Sequence, residues 1–250
     1  EEAGRRQVLW VYGKPYDIVA MPGDRVYAAI WDGVTILEGS PTVAARRLDP
    51  PQLSNTRVLA AWPAARRVYA STDQAAGSAR IAIIDDDTET VTDVIGACDG
   101  PEAMDVDPDR GLVYVSCSGG NTVGVIDDTT WLGATPVGRF PQGLAVNPIN
   151  GYAYVAVMLD DRVAVLDGTE LVAKIPVPKM PIAVDVNPTT GRVFVASEVG
   201  ETIAVISGTE MLTTIPTGAY PNAVQASAGR VTVGNARSAD VDVFRCSRHL

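Results

Sequence analysis

The sequence predicts an all-β fold made of six repeated antiparallel sheets, and three observations predict it. The first is a period: prolines stand at 101, 141, 181 and 221, 40 residues apart each time. The second is a recurring phrase. "GLVYVSCSGGNTVGVIDD" at 111–128 returns as "GYAYVAVMLDDRVAVLDG" at 151–168 and as "GRVFVASEVGETIAVISG" at 191–208. The third is punctuation. Short runs rich in Val, Ile and Tyr alternate with clusters of Asp, Asn, Gly and Pro, which is the chemistry of strands and turns. No helical period of useful length falls between them.

Taken in order, the first repeat opens at Pro15 with "PYDIVAMPGDRVYAA". The second opens at Thr56 with "TRVLAAWPAARRVYAS" and carries a longer break, "TDQAAGSAR". The third to sixth open at the four periodic prolines. Each repeat reads as four strands. In the fourth repeat, one strand follows Pro141 and ends at the turn Pro148–Gly151; "AYVAV", "RVAVLD" and "LVAKIPV" are the others. These runs are apolar on both faces, so each sheet needs cover on both sides. Without helices, the sheets must cover one another, and radial stacking in a β-propeller does this. The rival, a parallel β-helix, has shorter rungs and lacks hairpin punctuation. The last repeat has three strands and finishes at "DVDVFRC". Its fourth is expected from residues 7–12, within "RRQVLWVYGKP", which would close a six-bladed ring and remove the free edges. Residues 1–250 are read as one domain.

Several words carry a family resemblance. They are "VYVS" at 113–116, "AYVAV" at 153–157, "VFVAS" at 193–197, "VNP" at 146–148 and 186–188, and the strands "TVGVID" and "TIAVIS". These resemble the YVTN family of β-propeller repeats over nearly the whole chain, most closely in the third to fifth repeats. The resemblance implies a propeller. It implies no single function, because that family includes surface-layer, ligand-binding and enzymatic members. The streptogramin lyases, enzymes with a similar fold, rely on histidine. The one histidine here is His249, so that mechanism does not carry over.

Composition narrows the classes. No run of 18 apolar residues exists, so no membrane-spanning helix is expected. A net charge of −10 argues against a nucleic-acid partner. The doublets Arg46-Arg47 and Arg66-Arg67 are expected to be solvated turns. The chain begins at Glu1: either an export signal has been removed or the chain has been shortened, and no signal peptide is visible to decide. Three cysteines suit neither a disulfide scaffold nor a zinc module. Cys98 and Cys117 are expected on one face, close enough to bridge, with Cys246 unpaired; three buried free thiols are the alternative. A bridge would favour an extracytoplasmic or secreted location over a cytoplasmic one.

A repeat separates scaffold from site, since positions that differ between repeats are free to act locally. The loops opening each repeat and those between second and third strands are expected to share one face, around the mouth of a central channel. The residues after the opening position are Tyr16, Arg57, Glu102, Gln142, Ile182 and Asn222. Those before it are Lys14, Asn55, Gly100, Phe140, Met180 and Tyr220. The ends of the second strands add Trp31, Asp73, Ser118, Met158, Glu198 and Asn235, with Arg237 just beyond. Aromatic and thioether walls with a few polar anchors suit a small-molecule pocket; ordinary solvated loops are the plainer reading.

From this mixture the predicted ligand-binding set is Tyr16, Trp31, Arg57, Asp73, Glu102, Phe140, Gln142, Met180, Glu198, Tyr220, Asn222 and Arg237. The primary reading is a monomeric binding propeller for a small molecule or a protein loop. The alternative is a lyase, cyclase or hydrolase that uses Glu102, Glu198 and Tyr16 without histidine. Arg57 would hold an anionic group, or pair with Glu102 and do no chemistry. No cofactor is expected. Asp105 and Asp185 are expected to bond backbone amides between blades, a divalent cation being the alternative. The turns "DDD" at 85–87 and "DD" at 127–128 are read as solvated, so Asp86 and Asp128 are expected to be dispensable. "GSA" at 77–79 is no nucleophile elbow, and Trp10, Trp62 and Trp131 are expected to pack in the core or at blade edges.

Overall fold

The computed structural model describes residues 15–39, 44–48, 51–72 and 79–245. Among them, every long element is a strand, broken only by short 3-10 turns such as Pro63–Ala65 and Met158–Asp160. No helix is long and apolar enough to cross a membrane. The chain falls into two compact units, which divide between Gly96 and Ala97.

The first unit holds two sheets. Sheet 1 runs β1 (Pro15–Met21), β2 (Arg25–Ile30), β3 (Gly33–Glu38) and β4 (Ala44–Leu48). Sheet 2 runs β5 (Leu59–Trp62), β6 (Arg67–Thr72), β7 (Arg80–Asp85) and β8 (Thr90–Gly96). The second unit holds four. Sheet 3 is β9 (Pro101–Asp107), β10 (Leu112–Cys117), β11 (Thr122–Asp127) and β12 (Thr130–Pro136). Sheet 4 is β13 (Pro141–Val146), β14 (Ala153–Val157), β15 (Arg162–Asp167) and β16 (Glu170–Pro176). Sheet 5 is β17 (Pro181–Val186), β18 (Val193–Ser197), β19 (Thr202–Ser207) and β20 (Glu210–Pro216). Sheet 6 has three described strands, β21 (Pro221–Ser227), β22 (Arg230–Asn235) and β23 (Asp240–Arg245). Each is an antiparallel meander, and the periodic prolines each open a first strand, where a missing N–H costs no ladder bond. The fourth strand expected from residues 7–12 lies outside the described residues, as do Trp10, Lys14, Asp73, Cys246 and His249.

The middle strands are buried on both faces. All five residues of β14 and all five of β18 are inaccessible to solvent. What covers them is the next sheet. Tyr114, Val123 and Val125 of sheet 3 form one apolar layer with Leu144, Val155 and Ala164 of sheet 4. Similar layers join sheets 4 and 5, sheets 5 and 6, and, in the first unit, sheets 1 and 2. The outer strands differ from the two-sided apolar reading. β12 alternates between exposed and half-buried residues, and β16 does so apart from the buried Ile175; among the described residues no strand pairs with their outer edges.

Polar staples fix the stacking. The buried Tyr27 donates to Asp86 of sheet 2 (2.7 Å), and Tyr154 donates to the Gly208 carbonyl of sheet 5 (3.0 Å). Tyr114 instead accepts the Gly168 N–H of sheet 4 (2.9 Å). Each tyrosine thus reaches the turn between the last two strands of the following sheet. The "VNP" asparagines do similar work at the first turn: Asn147 donates to Gly191 O (2.8 Å) and Asn187 to Ser227 O (2.9 Å). First strands are joined by carboxylates. Asp105 accepts the Val146 N–H (2.8 Å), Asp185 the Ala226 N–H (2.6 Å) and Asp17 the Leu59 N–H (2.8 Å). Between β13 and β17 no carboxylate intervenes. There Gly143 lets the backbones touch, since a Cβ would lie 2.6 Å from Ile182 O.

Two expectations are corrected. Asp86 is no solvated turn residue: it is fully buried, and its carboxylate receives Arg25 (2.8 Å), Arg66 (2.6 Å) and the Tyr27 hydroxyl. The arginine doublets are corrected in part: Arg66 does sit in a turn, partly exposed and paired with Asp86 and Asp87, whereas Arg67 begins β6. Arg46 and Arg47 lie in β4, and Arg46 pairs with Glu38 (3.0 Å) and Glu89. With 30 acidic residues against 20 basic ones, an arginine near a turn readily finds a carboxylate.

Candidate functional site

The candidate site is built from two kinds of loop, and backbone bonds bring them together within each repeat. In sheets 3 to 6 the carbonyls of Gly100, Phe140, Met180 and Tyr220 accept the N–H groups of Ser118, Met158, Glu198 and Ala236, at 2.8–3.1 Å. The opening loop of each sheet therefore lies against the end of its own second strand, as the repeat predicts. The turn of the preceding sheet grips it too. Asn121 accepts the Phe140 N–H and Asp161 the Met180 N–H, both at 2.9 Å.

The grip imposes a left-handed backbone on the residue before each opening position. Asn55, Gly100, Phe140, Met180 and Tyr220 have φ between 56° and 66°. Glycine adopts this freely; a bulky side chain rarely does. Nevertheless Phe140 is 39% exposed, and Met180 and Tyr220 are half-buried. Leu159 and Val199 stand exposed on the facing turns of sheets 4 and 5. Sheet 3 has glycine at both matching positions, Gly100 and Gly119. There a Cβ on Gly100 would come within 2.9 Å of Gly119 N.

The other predicted residues fall as follows. Glu102 is exposed and accepts the Ser118 hydroxyl (2.7 Å). Gln142 and Glu198 are half-buried, and Asn222 is exposed. Arg237 is exposed, with its guanidinium 5.3 Å from the centre of the Tyr220 ring. In the first unit, Tyr16, Trp31 and Arg57 form one cluster. The Tyr16 and Trp31 ring centres are 6.5 Å apart, and the Arg57 guanidinium stands 5.7 Å from the Trp31 ring centre.

Cys98 and Cys117 form a disulfide, with Cα atoms 5.7 Å apart, that ties the opening loop of sheet 3 to its second strand. Trp131 lies over Gly124 beside Cys98, where a Cβ on residue 124 would overlap the indole ring. Asp105 and Asp185 hold backbone amides as expected, each also accepting the N–H of its own next residue at 2.8 Å. Desolvation pushes the Asp105 carboxyl up to about 6, against the pull of its two N–H donors, with the Asp185 and Asp107 charges adding to the rise. Asp185 is raised for the same first reason. Among the described residues, no group of three or more His, Cys, Asp or Glu is placed to hold a metal ion.

Sequence reasoning missed Arg110. It lines a cleft of about 240 Å³ at the opposite end of sheets 3 and 4, with Asp107, Ile149, Asn150 and Asp167. Its guanidinium is committed to Asp107, Asp167, Tyr114 and the Gly151 carbonyl, so it joins the two sheets. The signal lay in the repeat. Where the fourth and fifth repeats have Asn147 and Asn187, the third has Asp107, which cannot donate, and Arg110 supplies the missing donor.

Antiparallel meander sheets that cover one another in chain order within each unit are the arrangement of a β-propeller, and solved structures agree. The chain is similar to a protein of unknown function from Desulfotomaculum acetoxidans, with a TM-score of 0.75 and 14% identity over 95% of this chain and 84% of that one. It is also similar to the Cps50 (Swd1) β-propeller domain of Myceliophteria thermophila, with a TM-score of 0.73 and 10% identity over 94% and 83%. At such identities the likeness establishes the fold alone. No protein-family model and no curated protein matches the chain.

Proposed function

We propose that this chain is a six-bladed β-propeller of the YVTN type that binds a small molecule or a partner's loop on the side carrying the opening loops. One observation carries the reading. Phe140, Met180 and Tyr220 hold bulky apolar groups in the left-handed region, whereas the third repeat uses Gly100 at the same position. A left-handed residue with a Cβ costs on the order of 1 kcal/mol. Phe140 is exposed, and Met180 and Tyr220 keep part of their surface accessible, which suits groups kept for an external contact. The Cys98–Cys117 bridge supports an extracytoplasmic location.

The test separates binding from folding. Replacing Phe140, Met180 and Tyr220 together by glycine removes the walls and relieves the backbone. The expected result is an unchanged or higher melting temperature, with at least a tenfold loss of affinity for the apolar dye 8-anilinonaphthalene-1-sulfonate. Unchanged dye affinity in a folded variant would overturn the reading.

A further inference from the structure

The first unit holds a second kind of contact surface. Trp31 and Tyr16 are 49% and 44% exposed, and Arg57 is exposed beside them. The backbone that presents them is fixed. Asn55 N–H donates to Trp31 O (2.7 Å), the buried Thr56 hydroxyl donates to Leu53 O (2.7 Å), and Ser71 Oγ accepts Val58 N–H (3.0 Å). Two bonded residues therefore flank Arg57 and set its guanidinium against the indole ring.

Stacking on an aromatic ring orients a guanidinium while leaving its N–H fork available for a bidentate contact with an oxyanion. Arg25, Arg46, Arg66, Arg110 and Arg139 all spend their forks on carboxylates. Arg57 has no ion pair among the described residues, in a chain with a surplus of acids. The acid next to Trp31, Asp32, lies 3.8 Å from Arg47, which also donates to the Asp32 carbonyl.

We propose that Tyr16, Trp31 and Arg57 form a binding site for an organic oxyanion, a phosphate monoester or carboxylate carried on a flat apolar body. Arg57 takes the oxyanion in a bidentate contact, and the two rings face the apolar body. The proposal rests on the binding reading of the opening-loop side and names the ligand chemistry for its first-unit part.

Calorimetric titration of the full chain with phenyl phosphate, benzoate, inorganic phosphate and phenol tests it. Saturable one-site binding of phenyl phosphate or benzoate is expected, at least tenfold tighter than phenol or inorganic phosphate. The tighter of the two names the oxyanion. Arg57→Gln is expected to weaken it by roughly ten- to a hundredfold, Arg57→Lys by less, and Trp31→Phe to keep part of it if Trp31→Ala fails to fold. No saturable binding, phenol or inorganic phosphate as tight as the aromatic anions, or an unchanged Arg57→Gln overturns the proposal. The glycine variant at Phe140, Met180 and Tyr220 reads the second unit independently, so failure of one site leaves the other standing.

Discussion

Asp86 shows how far one residue's role departs from its local sequence. It sits in a run of three aspartates at a hairpin turn, a pattern that ordinarily reads as solvated, yet its side chain lies among Arg25, Arg66 and Tyr27. Asp86→Ala would leave two guanidinium groups facing a buried gap without their counter-charge. A loss of about 3 kcal/mol is expected, read by urea denaturation, whereas Asp87→Ala on the exposed side should change little. Asp105 makes the opposite prediction for pH. Its folded pKa of about 6 lies above the ordinary 3.8, so the folded chain binds more protons than the unfolded one between those values. The contribution of this residue to stability therefore rises as pH falls from 7 towards 4, by at most roughly 3 kcal/mol. Asp105→Asn should abolish that slope, so the stability difference between wild type and variant should vary across this window. A constant difference would refute the raised pKa.

At the scale of elements, the joints between sheets matter more than the sheets. Gly143 is one of them, with a Cβ at that residue 2.8 Å from Ala183 Cα as well as close to Ile182 O. Gly143→Ala should cost about 1–3 kcal/mol, although alanine is an ordinary strand residue. The disulfide is a second joint. It closes an interval of 19 residues, and replacing Cys98 and Cys117 by serine should cost roughly 3 kcal/mol. The repeat made the strands, their order and the pairing of each opening loop with its own second strand legible, because strand chemistry and turn chemistry are local. It also made Cys98 and Cys117 legible, since one precedes an opening proline and the other ends the paired strand. The Asp86 cluster and the role of Arg110 were not legible. Both depend on which side chains from different repeats meet, and a 40-residue period fixes spacing without naming partners. The left-handed residues were half-legible: their positions stood out as variable, while their backbone state depends on the bonds from Asn121 and Asp161.

For the whole molecule, the unfinished element is sheet 6. One edge of β23 meets no described strand, and Val241 and Val243 are 62% and 56% exposed. The sequence assigns the completing strand to residues 7–12. Deleting residues 1–12 should then lower the melting temperature substantially and promote association through the open edge; an unchanged melting temperature would refute that assignment.

The tyrosine staples bear on how such a chain can grow. Tyr114 and Tyr154 each meet a turn in the sheet that follows, but the fifth repeat has the buried Phe194 in their place, and its following sheet has only three described strands. The fifth repeat thus differs from the fourth at its junction with the sheet that follows. Copying the fourth repeat in tandem would place a Tyr154-type hydroxyl at the new junction. Copying the fifth would set an aromatic carbon where Tyr154 has the hydroxyl that donates to a turn carbonyl. A tandem copy of the fourth repeat is therefore expected to lower the melting temperature less than a tandem copy of the fifth.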